Sequence, residues 1–330
     1  MKKFKFILGT LLTAALFFTS CSDDDNNNEE PIVRPTAEEF SDIRGSALEA
    51  ITQTFEFKAE ESYVTFTSEK GVEITIFPGC LTLEGNAITG TVELEYVEVF
   101  EKGNMITTNK PTMGLLPNGN KALLLTGGEF YINATLDGKQ LETTCSFQLN
   151  IPADLTGGAN TGMTLWEGII DENGNLAWDE IDDKGTAGNE EGRDGVFVEG
   201  ESYYAFRGEF GWTNVDIFYS DPREKTTLLA AVPEGYNSTN CAIYLAYNDQ
   251  TNALALLDTY DPDTKLFSEH YGQIPIGLEC HAIFVSEENG NWKYAVKAVT
   301  IVENGTITFT EAEMAVVTEA QLIAIINDLP

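Results

Sequence analysis

Val72-Glu73-Ile74-Thr75-Ile76 and Val92-Glu93-Leu94-Glu95-Tyr96 place an apolar side chain at every second position, with Glu or Thr between. Successive side chains of a strand point to opposite faces, so a period of two reads as half-buried β-strand. After Tyr96 the phase slips, because Val97 and Val99 now flank Glu98, and the slip predicts a β-bulge or a strand crossing a sheet edge. Asn118-Gly119, Asp137-Gly138, Asn173-Gly174, Asn289-Gly290 and Asn304-Gly305 sit beside such runs. These dipeptides accept the positive φ of tight turns and predict hairpins. Further strands are expected near 226–232, 241–248, 253–260, 266–271, 280–286, 292–300 and 306–310, a spacing that suits a sandwich.

Helices are expected only at the ends. Thr36 with Glu39 forms a capping box for a helix over about 37–52. Thr318 with Gln321 caps a second helix, whose apolar residues Leu322, Ile325, Ile326 and Leu329 are expected to dock on their own domain. The stretch 179–195 holds seven acids and no apolar run, so the linker is placed at 184–195. The expectation is an all-β protein of two β-sandwich-like domains, at 37–183 and 196–330, the second opening on the aromatic segment 203–219.

The N-terminus carries Lys2, Lys3 and Lys5, an apolar stretch from Phe6 to Phe18, and then small residues. That stretch is shorter than the roughly 20 residues of a membrane-spanning helix and reads as a secretory leader, residues 1–20. Phe18-Thr19-Ser20-Cys21 resembles a bacterial lipobox, with Phe18 where leucine is usual. The resemblance implies that Cys21 becomes the first residue, bears acyl chains and anchors the protein to a membrane. Residues 22–30, Ser-Asp-Asp-Asp-Asn-Asn-Asn-Glu-Glu, cannot bury apolar surface, so 21–36 reads as a disordered tether. The run also resembles the acidic stretch of surface-exposed lipoproteins of Bacteroidetes-type bacteria. That likeness implies the outer membrane and outward exposure, with a periplasm-facing lipoprotein as the alternative.

Loss of the leader takes the net charge from −34 to −37, which makes nucleic acid and anionic surfaces poor partners. Besides Cys21 there are Cys80, Cys145, Cys241 and Cys280. Cys145 alternates with Phe147, Leu149 and Ile151, and Cys241 with Ile243, Leu245 and Tyr247. All four are therefore expected to be free buried thiols, although an oxidising compartment permits three pairings.

No catalytic residue, cofactor or metal ligand is assigned from the sequence. Of the two histidines, His270 lies in Ser268-Glu269-His270-Tyr271, and His281 follows Cys280 in a predicted strand, where neighbours face opposite ways. Asp171-Glu172-Asn173-Gly174-Asn175 has its glycine at position four, not the sixth position of a calcium loop, and reads as a hairpin turn. The carboxylates of 179–194 could gather adventitious calcium. Within 203–219, Tyr203 and Trp212 are the candidate ligand-contact residues for a sugar, against a core-packing role for the same aromatics.

Gly71-Val72-Glu73-Ile74-Thr75-Ile76-Phe77-Pro78-Gly79-Cys80, Gly85-Asn86, Gly90-Thr91-Val92-Glu93-Leu94 and Gly127-Gly128-Glu129-Phe130-Tyr131-Ile132-Asn133-Ala134 resemble the ZU5-like β domains of bacterial surface lipoproteins, over about 55–170. Such domains are β-sandwich interaction modules, some of which self-cleave at a His-Phe-Ser segment. That tripeptide does not occur in this chain, and Cys80 stands where alanine is usual. The resemblance implies architecture and an interaction role without cleavage, and residues 196–330 look like lipoproteins of unknown function. The expected function is non-enzymatic binding or scaffolding with a protein or glycan partner. The alternatives are a glycan-binding component of a polysaccharide-capture system and, less favoured, a hydrolase.

Overall fold

The predicted alternation is realised as strands, and the computed structural model describes residues 33–170, 175–181 and 194–330. The leader, Cys21, the acidic run, the Asn173-Gly174 turn and most of the 184–195 linker lie outside the described residues. The fold is all-β, with helices α1 (Ala37–Ala50), α2 (Lys102–Thr107) and α3 (Glu319–Asn327). Both expected capping boxes are present, Thr36 with Glu39 and Thr318 with Gln321.

In the N-terminal sandwich one large sheet runs Gln53–Lys58, Thr91–Val99, Lys121–Leu136, Gly211–Phe218, Thr164–Ile170, Leu176–Glu180, Met113–Leu115. The facing sheet runs Gly195–Glu199, Ser202–Arg207, Phe147–Pro152, Glu73–Ile76, Val64–Thr67. Ile74, Leu94, Phe130, Leu149 and Tyr203 meet between them. The large sheet also curls, because Met113–Leu115 pairs both with Leu176–Glu180 and with Lys121–Leu136. Five strands thus close a ring around Leu124, Trp166, Leu176 and Trp178.

The C-terminal sandwich packs Thr259–Asp261, Leu266–Pro275, Lys225–Ala231, Gly305–Thr308 against Ala255–Leu256, Cys241–Tyr247, Glu279–Glu288, Asn291–Thr300, Ala315–Val317. Its core includes Leu228, Cys241, Ile243, Leu245, Phe267 and Phe284.

Turn chemistry correctly marks three hairpins. Gly119, with φ +83°, serves the first; Asp137-Gly138, at +52° and +74°, and Asn289-Gly290, at +54° and +77°, serve the others. Asn304-Gly305 is different, because Gly305–Thr308 runs parallel to Lys225–Ala231 and so ends a crossover.

The predicted slip at 96–99 is not a bulge. Register against Lys121–Leu136 runs unbroken from Glu93 opposite Thr135 to Val99 opposite Glu129. The pattern changes because the strand passes from half-exposed to buried on both faces. Tyr96 packs in the sandwich core, while Val97 and Val99 pack in a seam with Tyr244, Ile283 and Trp292. Glu98 is tolerated there because it accepts from Ser68, the Tyr96 hydroxyl, Gln53 and the Lys70 amide.

That seam and the strand pairing correct the domain boundary. Ser202–Arg207 and Gly211–Phe218, expected to open the second domain, are instead strands of the two N-terminal sheets. The 184–195 linker therefore does not separate two domains, because strands that follow it pair with strands that precede it in the same two sheets. Met113 and Leu123 join the C-terminal core, and Arg34–Pro330 forms one compact unit. Helix α3 likewise docks beyond its own sandwich. Leu322 and Ile326 are buried in the seam, Asn327 accepts from the Gly103 amide of α2 at 2.8 Å, and a Cβ on Gly103 would fall 2.8 Å from the Ile323 backbone.

The expectation of four free thiols is corrected too. Cys80 and Cys145 form a disulfide with Cα atoms 5.7 Å apart, whereas Cys241 and Cys280 are free and buried. Cys145 lies in the bend before Phe147–Pro152, so the strand whose alternation seemed to include it begins only two residues later.

Candidate functional site

The aromatic segment 203–219 is divided by strand alternation. On Ser202–Arg207, residues 203, 205 and 207 face inward, and Tyr203 is 0% exposed. Its hydroxyl donates to the Gly158 carbonyl at 3.2 Å and accepts from the Asn160 amide at 2.9 Å. Tyr203 is therefore a core residue with its polar tip satisfied, not a ligand contact. Trp212 is half-buried, tilted on Tyr131 at 5.4 Å, edge-on to Trp178 at 6.4 Å, and capped by Lys110 Nζ 5.0 Å from its ring. Internal neighbours thus occupy the surfaces on which a sugar would stack.

Tyr204 and Phe206 face outward instead. Phe197, opposite Tyr204 on the adjoining strand and 40% exposed, lies 5.1 Å from the Tyr204 ring and 5.9 Å from the Phe206 ring. The Phe197 ring is within 11° of parallel to Tyr204 and within 17° of parallel to Phe206. Register then carries polar groups outward across the same face, with Asn150 opposite Tyr204, Gln148 opposite Phe206, and Glu73 and Thr75 beyond them. Asn150 Nδ2 donates to Glu73 at 2.9 Å, while Asn150 Oδ1 has no partner. Alternation sets Tyr204 and Phe206 on the face opposite Tyr203, but which face is outward is shown only by burial. Phe197 was not, because its place beside them is set by strand pairing.

A second feature is a recess of about 750 Å³ between α1, the 108–110 segment and the C-terminal sandwich. Arg44 and Lys110 line it with Ser41, Asn109, Ser238 and Thr239. The Arg44 guanidinium lies 3.9 Å over the Phe40 ring and donates to the Tyr244 hydroxyl at 3.2 Å, and that hydroxyl donates to Asn109 at 2.6 Å. Lys110 Nζ donates to the Thr108 carbonyl at 3.0 Å. Burial lowers the Lys110 ammonium to about 8, with Glu129 opposing the shift and Arg44 adding to it.

Behind Lys110, inside the strand ring, Thr126, Glu129, Asn214 and Asp216 share one face through a β-bulge between Asn214 and Asp216. Gly128 makes the bulge possible: its φ is +133°, and a Cβ there would fall 2.5 Å from the Phe130 ring. Thr126 donates to Asn214 Oδ1 at 2.8 Å, and Asn214 Nδ2 donates to Asp216 Oδ2 at 2.6 Å. Both Glu129 oxygens and Asp216 Oδ1 are buried without a partner. Desolvation first, and for Glu129 the neighbouring Asp216, holds both carboxyls well above their usual range. The cluster is sealed within the fold, so its protons are held away from solvent.

The histidines stand apart. His270 is exposed and bonded to Thr259 at 3.1 Å. His281 bonds Asn248 at 3.0 Å, and burial, then Lys102, lowers its ring. Among the described residues neither has a serine or carboxylate as hydrogen-bond partner, and no group of three or more His, Cys, Asp or Glu is placed to hold a metal. Cys280 and His281 face opposite ways, Cys280 into the core.

No helix among the described residues is long and apolar enough to cross a membrane. No family model, curated protein or solved structure matches the chain.

Proposed function

We propose that the protein is an exported lipoprotein, anchored through Cys21 and facing outward from the outer membrane, that binds a partner without transforming it. The interaction role implied by the ZU5-like resemblance agrees with this reading. The Cys80–Cys145 disulfide supports an oxidising compartment. The observation that carries the binding role is the outward row of Phe197, Tyr204 and Phe206 beside Asn150, Gln148 and Glu73. That combination favours a glycan over a protein partner: sugar C–H faces pack on aromatic surface, and amide and carboxylate groups take the hydroxyls. The net charge of −37 left after loss of the leader directs the choice toward neutral polymers.

Replacing Phe197, Tyr204 and Phe206 together by alanine is expected to lower retention on immobilised neutral polysaccharides at least ~10-fold, about 1.4 kcal/mol. Melting should change little, since the three rings lie on a solvent-facing surface. Unchanged retention on every glycan, with loss of a protein partner instead, would assign the same face to protein recognition. For the anchor, Cys21→Ala is expected to abolish metabolic acyl labelling and leave unprocessed or soluble protein. Persistent labelling would remove the lipoprotein assignment.

A further inference from the structure

The recess beside α1 is built around two cations that the rest of this acidic chain leaves uncommitted. Acids outnumber bases 53 to 19, and Arg34, Lys70, Lys121, Arg207, Arg223, Lys293 and Lys297 all have carboxylate partners. Arg44 and Lys110 line one recess, and among the described residues neither has a carboxylate within ion-pair distance. The acid on the same wall is already engaged, because Asp258 Oδ2 accepts from Lys121 at 2.6 Å and from the Tyr271 hydroxyl at 2.8 Å. Arg44 is also pre-positioned by Phe40 and Tyr244, with its Nε buried and lacking an acceptor. Holding a partly buried guanidinium without a counter-ion is costly, and an anionic ligand would offset that cost.

The remaining lining narrows the ligand. Ser41, Asn109, Ser238 and Thr239 offer hydroxyl and amide groups, while Leu256 and Tyr260 supply apolar surface. A cavity of about 750 Å³ has room for a small organic molecule rather than a bare ion. We infer that this recess is a binding site for a sugar acid, whose carboxylate meets Arg44 and Lys110 and whose hydroxyls meet the serine, threonine and asparagine side chains. The site shares no residue with the aromatic row, so it stands whether or not that row binds a polymer.

The test is calorimetric titration of the purified full chain with digalacturonate, with neutral digalactose and with inorganic phosphate. Saturable binding of digalacturonate at least ~10-fold tighter than of either control is expected, since each factor of ten is about 1.4 kcal/mol. Arg44→Gln and Lys110→Gln should each remove most of that preference. Because both side chains also pack internally, Ser238→Glu gives an independent reading: it adds a carboxylate at an exposed rim position and should abolish digalacturonate binding without changing the melting temperature. The Phe197, Tyr204 and Phe206 alanine variant should bind digalacturonate normally. Equal binding of digalactose, equal binding of phosphate, no binding of digalacturonate, or full binding by the Ser238→Glu variant would each overturn the proposal.

Discussion

Replacing Cys80 and Cys145 by serine is expected to lower stability by about 4 kcal/mol, from the chain entropy that a loop of this size regains on unfolding. The bridge spans 65 residues and joins the turn after Glu73–Ile76 to the bend before Phe147–Pro152. Little else holds that corner. Glu142–Thr143 pairs with Leu81–Leu83 over only two residues, helped by Thr144, whose amide donates to the Cys80 carbonyl at 2.9 Å. For a unit of this size the loss corresponds to a fall in melting temperature of ~6 °C. Calorimetry of the double-serine variant, beside the reduced wild-type chain, measures it. Hydrogen exchange should rise first at 80–83 and 141–145. A change under ~1 kcal/mol would mean that the unfolded chain is already constrained there.

The second large effect is a pH dependence centred on Glu129. This side chain is 0% exposed, both oxygens lack partners, and burial with Asp216 nearby holds its carboxyl well above the ordinary 4.5. The folded state therefore keeps a proton that the unfolded chain releases near pH 4.5. Stability contributed by the neutral carboxyl is complete below pH 4.5 and declines as pH rises through the folded value. While folded Glu129 keeps a proton that the unfolded chain has released, each further pH unit removes about 1.4 kcal/mol of stability, 2.303RT per proton. Glu129→Gln, which cannot ionise, should flatten this slope. Its melting temperature relative to wild type should rise steadily as the pH is raised above 4.5. The readout is the change in that difference with pH, so any fixed cost of burying the amide cancels. Parallel pH profiles would show that Glu129 is not the proton-holding group.

How far the fold could be read from residues differs from element to element. Both capping boxes, the Asn289-Gly290 hairpin and the strands at 241–247 and 291–300 follow from interactions within a few residues, so local sequence encodes them. The slip at Val97 was visible, but of its two readings the bulge does not occur, and a bulge, a sheet-edge crossing and burial on a second face all produce the same pattern. For the candidate site, alternation separates Tyr203 from Tyr204. It does not say which of the two faces water, because either face of a strand can be covered.

By itself, the sequence determined the all-β class, the helix caps, the tight turns and the acidic surface, all of which depend on near neighbours or on composition. Only the tertiary structure decided the rest. It assigned 202–218 to the N-terminal sheets, joined Cys80 to Cys145, placed Phe197 beside Tyr204, and brought Arg44 and Lys110 to one recess. The reason is physical: strand partners and sheet faces are selected by burial between segments tens to hundreds of residues apart, and no local period records that choice.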